Sequence, residues 1–166
     1  MLVARAQLNL IRELLARFER DDSVMRPVAD HQSLYIAIIA LLRSVGHVLE
    51  KVDCVEPGPR DWLRAKWPDW REEKIFKNFI EPKRNALLKE FRGGLELQSD
   101  AFGSVGVVAD PSMPDCVSRV ATFDVHKARD FMGRPVLPRL RDAIAFWDRC
   151  LKEAEEKSSR ERRNNL

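Results

Sequence analysis

A short polar cluster late in a predicted helix holds the side chains best suited to chemistry in this chain. Its members are Arg84, Asn85 and Lys89. On a helical wheel counted from Phe76, Arg84 falls at about 80°, inside the apolar arc, and Lys89 lies about 140° from Arg84. An arginine can bind a phosphate at two points, and a lysine can stabilise the charge of a phosphorane. These residues therefore predict a site that binds RNA or a nucleotide.

A second interpretation gives Arg84 a structural role. An unpaired charge on a buried face is costly, so the guanidinium is expected to pair with a carboxylate. Glu81, Glu90 or an acidic residue of another helix would serve, and the pair would tether the bundle. The sequence leaves both interpretations open.

Two further candidates lie on the preceding long helix. Arg43 and His47 are four residues apart and so share a face, opposite the main apolar stripe. If this face meets Arg84, His47 would supply a general acid or base displaced from the cluster. The alternative is an ordinary polar helix face.

Three tryptophans form another candidate binding surface. Trp62, Trp67 and Trp70 alternate with basic residues along a short stretch of chain. Aromatic rings among cations can stack on bases or anchor a protein partner. Alternatively, the rings cover the end of the bundle while the cations reach solvent.

The polar cluster and its helical setting together resemble the HEPN superfamily. These are helical proteins found among bacterial toxins, antiphage systems and RNA-processing enzymes. Arg84 and Asn85 match the first two positions of the family's motif, which continues with three variable residues and a histidine. Lys89 stands at the histidine position. The resemblance covers one heptapeptide and the all-helical layout.

The replacement of histidine by Lys89 bears on the activity that the resemblance implies. The family's ribonucleases are metal-independent acid–base enzymes that cleave through the RNA 2′-hydroxyl. Histidine suits this role because its ordinary pKa is near 6.5, whereas lysine, near 10.4, would need strong desolvation. The resemblance therefore implies a non-catalytic binding or interaction module for RNA or a protein partner, without a cofactor.

Two other functions stay open. The first alternative is a divergent metal-independent ribonuclease that uses Arg84, Lys89 and His47, and the second is a purely structural helical protein. In the family, two such helices meet across a dimer. A homodimer in which Arg84 faces its symmetry mate is therefore implied.

Composition sets the frame for these hypotheses. The chain has 166 residues, 45% apolar and 33% charged, and a net charge of +3. This balance is typical of one soluble globular domain, which we predict at residues 1–156 with a polar, fraying tail at 157–166. The net charge is too small to indicate nucleic-acid binding by itself.

Cysteine and histidine usage favours a reduced protein without a metal. Cys54, Cys116 and Cys150 are far apart and odd in number, which argues against a disulfide framework. The three histidines lack metal-ligand spacing, so no metal site is predicted. No secretory signal is recognised, and the longest apolar run, residues 34–42, is too short to span a bilayer. A cytoplasmic location without membrane contact is the resulting expectation.

The apolar periodicity predicts a mainly α protein, an up-down bundle of four to five helices. Helices are expected at residues 2–20, 28–53, 60–67, 70–92 and 136–157. Pro68 should stop the short helix, and Asp69 with Glu72 resembles a capping box for the next one. Pro82 should kink that helix. Residues 95–126 lack helical periodicity and are expected to form a small β-hairpin or an irregular insertion, with a turn at 110–112.

Overall fold

The computed structural model confirms the mainly α bundle. It describes residues 1–20, 28–90, 95–96, 106–109, 117–120, 124–130 and 133–164. Five α-helices account for most of these residues: α1 (Val3–Glu19), α2 (Val28–Val48), α3 (Pro57–Glu72), α4 (Glu81–Lys89) and α5 (Val136–Asn164). Two π-helical turns, Leu49–Asp53 and Phe76–Ile80, follow α2 and precede α4. The last helix therefore extends well into the segment that was expected to fray.

The core lies where α2 meets the other helices. The period of apolar residues in α1 places Leu8, Ile11 and Phe18 against α2 and α5, and all three are fully buried. The stripe of α2 supplies Ile38 and Leu42, which are also inaccessible to solvent. Because α2 packs on α1, α4 and α5, it positions the polar residues that these helices carry.

The prediction for Pro68 needs correction, whereas the helix that holds Pro82 is irregular as expected. Pro68 does not stop a helix, since α3 continues through it from Pro57 to Glu72 and ends at Glu73. The expected capping box at Asp69 is therefore wrong. Pro82 is the second residue of α4, but the chain is already helical before it, through residues 74–75 and the π-helical turn Phe76–Ile80. The irregularity expected there takes the form of the π-helical turn Phe76–Ile80, directly before α4.

The predicted insertion contains short strands. The strands β2 (Gly106–Ala109) and β3 (Val117–Val120) pair antiparallel, as the hairpin prediction requires. The strand β1 (Leu95–Glu96) pairs with β4 (Arg129–Asp130), so it returns to the segment that leads into α5. The predicted turn at 110–112 lies outside the described residues. Asp124 accepts a hydrogen bond from the His126 amide and caps a single 3₁₀ turn, Val125–Lys127.

The helix α2 with its π-helical turn has the composition of a membrane span. The stretch Asp30–Asp53 is long enough, and an 18-residue window within it has a mean hydropathy of 1.5. Length and apolarity are weak evidence, because the central helix of a folded core has the same properties. In this structure Tyr35, Ile38 and Val45 of the stretch are buried against other helices.

A long-range contact caps the first helix. Both oxygens of Asp53 accept hydrogen bonds from the start of α1, Oδ1 from the Val3 amide at 2.7 Å and Oδ2 from the Ala4 amide at 2.8 Å. Amides at a helix start have no partner within the helix, and a carboxylate there also interacts favourably with the helix dipole. Asp53 thus ties the end of the second helix to the beginning of the first.

Replacing Asp53 by alanine should lower the free energy of unfolding by about 1 kcal/mol, the usual loss for a helix cap. Asp53→Asn should lose less, because its amide oxygen still accepts one hydrogen bond. Urea unfolding of both variants measures the loss. Asp61→Ala is the matched control, because Asp61 is exposed and its ion pair with the exposed Arg64 is long, at 3.9 Å, and therefore weak. An equal loss in Asp53→Ala and Asp61→Ala would contradict the capping role.

Candidate anion-binding surface

Side chains of three helices converge on one carboxylate. Glu81, the first residue of α4, lies 3.8 Å from the Arg43 guanidinium of α2 and 3.6 Å from the Arg71 guanidinium of α3. Arg43 also stacks on the Phe76 ring at 5.5 Å, which fixes its direction. The crossing of α2 over the turn before α4 brings these groups together.

Arg84 belongs to the same surface. It lies one turn after Glu81 on α4 and donates a hydrogen bond from Nη1 to Asn85 Oδ1 at 3.1 Å. Arg84 makes no ion pair with any residue that the structure describes. The tethering partner suggested by the sequence, Glu81, is instead shared by Arg43 and Arg71. We call Arg43, Arg71 and Arg84 the arginine cluster.

The electrostatics of Arg43 show that the cluster is crowded with positive charge. Burial lowers the pKa of Arg43, and nearby Glu81 opposes this effect by favouring the charged form. The charges of Arg71 and Arg84 lower the pKa of Arg43 further, whereas a second carboxylate, Glu50, raises it. Arg43 and Arg71 thus share the Glu81 carboxylate, and the charge of Arg84 is close enough to act on Arg43. Such a surface can accept an additional anion, and the planar forks of arginine suit phosphate oxygens.

The other two members of the predicted acid–base set have no described contact with the arginine cluster. His47 is exposed, one turn beyond Arg43 on α2. Lys89 is the last residue of α4 and is also exposed, while Arg84 and Asn85 are half-buried. Among the described residues, no hydrogen bond or ion pair joins His47 or Lys89 to Arg84. The first two motif positions thus contact each other, and the third stands apart.

The tryptophans contribute mainly to packing. Trp70 is buried, and its ring meets those of Trp62 and Trp67 edge to face at 5.8 Å and 6.1 Å. Trp67 also stacks on Trp147 of α5 at 6.2 Å. Trp62 and Trp67 are half-buried, and Trp67 lines a cleft of about 440 Å³ with Leu63. This arrangement agrees with the interpretation in which the rings cover one end of the bundle.

Two members of the surface were missed in the sequence. In the sequence, Arg71 is one of the basic residues that alternate with the tryptophans, and Glu81 is one of several possible partners for Arg84. The sequence clue to Glu81 is its position at the start of the helix that carries the motif, where the helix dipole favours a carboxylate. The contact with Arg43 and Arg71 depends on how three helices pack, which no local pattern encodes.

Comparison with known proteins adds no relative to this picture. No family model matches the chain, and neither the curated proteins nor the solved structures include a significant match.

Proposed function

We propose that this protein is a non-catalytic RNA-binding module that contacts phosphate groups through its arginine cluster. The observation that carries the proposal is that Arg43 and Arg71 share the Glu81 carboxylate while the charge of Arg84 lies close enough to lower the pKa of Arg43. A phosphate entering this surface would gain two-point hydrogen bonds and relieve the repulsion among the guanidinium groups. Neighbouring phosphates of a single strand would then extend along the exposed edge that holds His47.

The resemblance of Arg84 and Asn85 to the HEPN motif supports the same proposal. In the proposed module, Asn85 positions the Arg84 guanidinium through the hydrogen bond between them. Lys89 serves as an additional cation rather than a base. The resemblance also favours a homodimer that places two arginine clusters along one RNA, and two linked contacts would strengthen binding. A cytoplasmic location belongs to this proposal.

Replacing Arg84 by alanine should weaken binding of a fluorescent single-stranded RNA about tenfold, the usual effect of one charge-assisted hydrogen-bond pair. Anisotropy titrations over a series of salt concentrations measure both affinity and its salt dependence. Each lost phosphate contact should reduce the slope of log affinity against log salt by about 0.7. Arg43→Ala should act in the same direction.

Arg141→Ala is the matched control, because it removes the same charge from an exposed site where Arg141 pairs with Glu19 at 3.0 Å. It should leave the affinity nearly unchanged. Equal weakening by Arg84→Ala and Arg141→Ala would refute a localised phosphate site. Absence of RNA binding by the wild-type protein, or a fall in melting temperature as the only effect of Arg84→Ala, would favour a structural role for the cluster.

The same samples test the ribonuclease alternative. Incubation of labelled RNA with the protein in EDTA should leave the RNA intact. Cleavage by the wild type that is lost in a folded Arg84→Ala variant would overturn the non-catalytic assignment.

A further inference from the structure

A second cationic feature lies on the other side of α4. A cleft of about 510 Å³ opens between the π-helical turn Phe76–Ile80, α4 and the beginning of α5. Four cations line it: Lys77, Lys83, Arg134 and Arg139. No carboxylate is found among its described lining residues. Its volume is typical of small-molecule sites.

Two of the lining cations, Lys83 and Arg134, belong to a buried charge cluster around Asp130. Asp130 is 1% exposed and Lys83 is 4% exposed, and Lys83 Nζ lies 3.5 Å from Asp130 Oδ2. Arg134 donates to the same carboxylate from Nε at 3.1 Å and from Nη2 at 3.0 Å. The Arg134 amide also donates to Asp130 Oδ1 at 3.0 Å. One carboxylate therefore fixes a lysine and an arginine at the wall of the cleft.

Arg139 adds charge that has no acidic partner among the described residues. Its guanidinium lies over the Phe79 ring at 5.7 Å, so its position is set by an aromatic face. Lys83 and Arg134 contact Asp130, whereas Arg139 brings a further positive charge to the wall of the cleft. Lys77 at the rim is exposed and already pairs with Glu72 at 2.6 Å.

The pKa of Lys83 responds to these neighbouring charges. Burial lowers its pKa, Asp130 opposes the effect, and the charges of Arg134 and Arg139 lower the pKa further. An anion in the cleft would favour the charged ammonium and so would be bound more tightly when Lys83 is protonated.

We propose that this cleft binds a small organic phosphate as its dianion. The four lining cations favour an anion of high charge, and the guanidinium groups of Arg134 and Arg139 offer donors to its oxygens. Pro82 and Ala86, which also line the cleft, provide apolar surface for the organic part. The site is separate from the arginine cluster, because Lys83 and Arg84 point to different sides of α4.

Calorimetric titration of the full chain at pH 8 with phenyl phosphate, phenyl sulfate and inorganic phosphate tests the proposal. Phenyl phosphate is a dianion at this pH, since the second pKa of a phosphate group is near 6. It should bind at least tenfold more tightly than phenyl sulfate, which has the same shape and one charge. It should also bind more tightly than inorganic phosphate, which lacks the apolar group.

Arg139→Gln should weaken phenyl phosphate binding at least tenfold, and Arg141→Gln on the same helix should not. Equal affinity of the wild type and Arg139→Gln would overturn the proposal, as would equal affinity for the phosphate and the sulfate. Displacement of phenyl phosphate by a short RNA would assign the cleft to nucleic acid and overturn the small-molecule assignment. Because Arg84→Ala should leave phenyl phosphate binding intact, failure of the RNA proposal would be distinguishable from failure of this one.

Discussion

Replacing Asp130 by alanine is expected to lower the free energy of unfolding by about 3 kcal/mol, at the lower end of the range for a broken buried ion pair. The variant removes the carboxylate that holds Lys83, a side chain only 4% exposed, and the positive charges of Lys83, Arg134 and Arg139 then repel one another. It also removes the acceptor for the Arg134 amide. Arg134 itself is 34% exposed and can turn toward water, which limits the loss.

A double-mutant cycle separates this effect from simple loss of packing. Lys83→Met keeps a similar apolar length and removes the buried charge. If the cost of Asp130→Ala comes from the charge left on Lys83, the double variant should be clearly more stable than the sum of the two single losses predicts. Urea unfolding of all four proteins gives the coupling energy. Additive losses, or a loss below about 1 kcal/mol for Asp130→Ala, would show that Lys83 does not depend on Asp130.

The helical framework could be predicted because its signal is local. In α1 and α5, apolar residues recur at helical spacing, and the residues on that stripe, including Leu8, Ile11, Leu140 and Trp147, are the ones buried. The loss of periodicity after residue 94 likewise indicated the change to short strands. These features follow from burying one face of each helix, whichever neighbour covers it.

The wrong prediction at Pro68 comes from a rule that considers only the local chain. A proline inside a helix removes a hydrogen bond, and the sequence rule therefore ends or kinks the helix there. In α3 the helix passes through Pro68 because Leu63 and Trp70, on either side of it, are both buried in the bundle. Tertiary packing offset the local cost, and the chain turned at Glu73 instead.

The candidate site was only half predictable. On the helical wheel counted from Phe76, Arg84 lies at about 80° and Lys83 at about −20°. The two cations therefore lie on opposite borders of the apolar arc. The sequence therefore offered two adjacent cations at the borders of one arc, and the motif drew attention to Arg84. The structure buries Lys83 and leaves Arg84 half-exposed. The partner that makes this burial tolerable, Asp130, lies 47 residues away and follows the insertion.

A second large effect is expected in the aromatic cluster that joins α3 to α5. Trp147 is fully buried and meets three rings: it stacks on Trp67 at 6.2 Å and meets Phe76 and Phe146 edge to face at 6.1 Å and 5.0 Å. Gly46 of α2 makes the approach possible, because a Cβ there would lie only 2.6 Å from the Trp147 ring. The cluster therefore depends on close contact among α2, α3 and α5.

Trp147→Ala should lower the free energy of unfolding by about 4 kcal/mol, through lost burial and the cavity left among rings that cannot collapse into it. Trp147→Phe should lose much less: it keeps an aromatic ring and removes the buried indole N–H, which has no hydrogen-bond partner among the described residues. Trp62→Ala is the matched control, since Trp62 is half-buried and its described ring contact is with Trp70 alone. Urea unfolding followed by far-UV circular dichroism measures all three.

Losses of similar size in Trp147→Ala and Trp62→Ala would mean that Trp147 is not the centre of the cluster. A larger loss in Trp147→Phe than in Trp62→Ala would instead indicate that the indole N–H has a partner and contributes to stability.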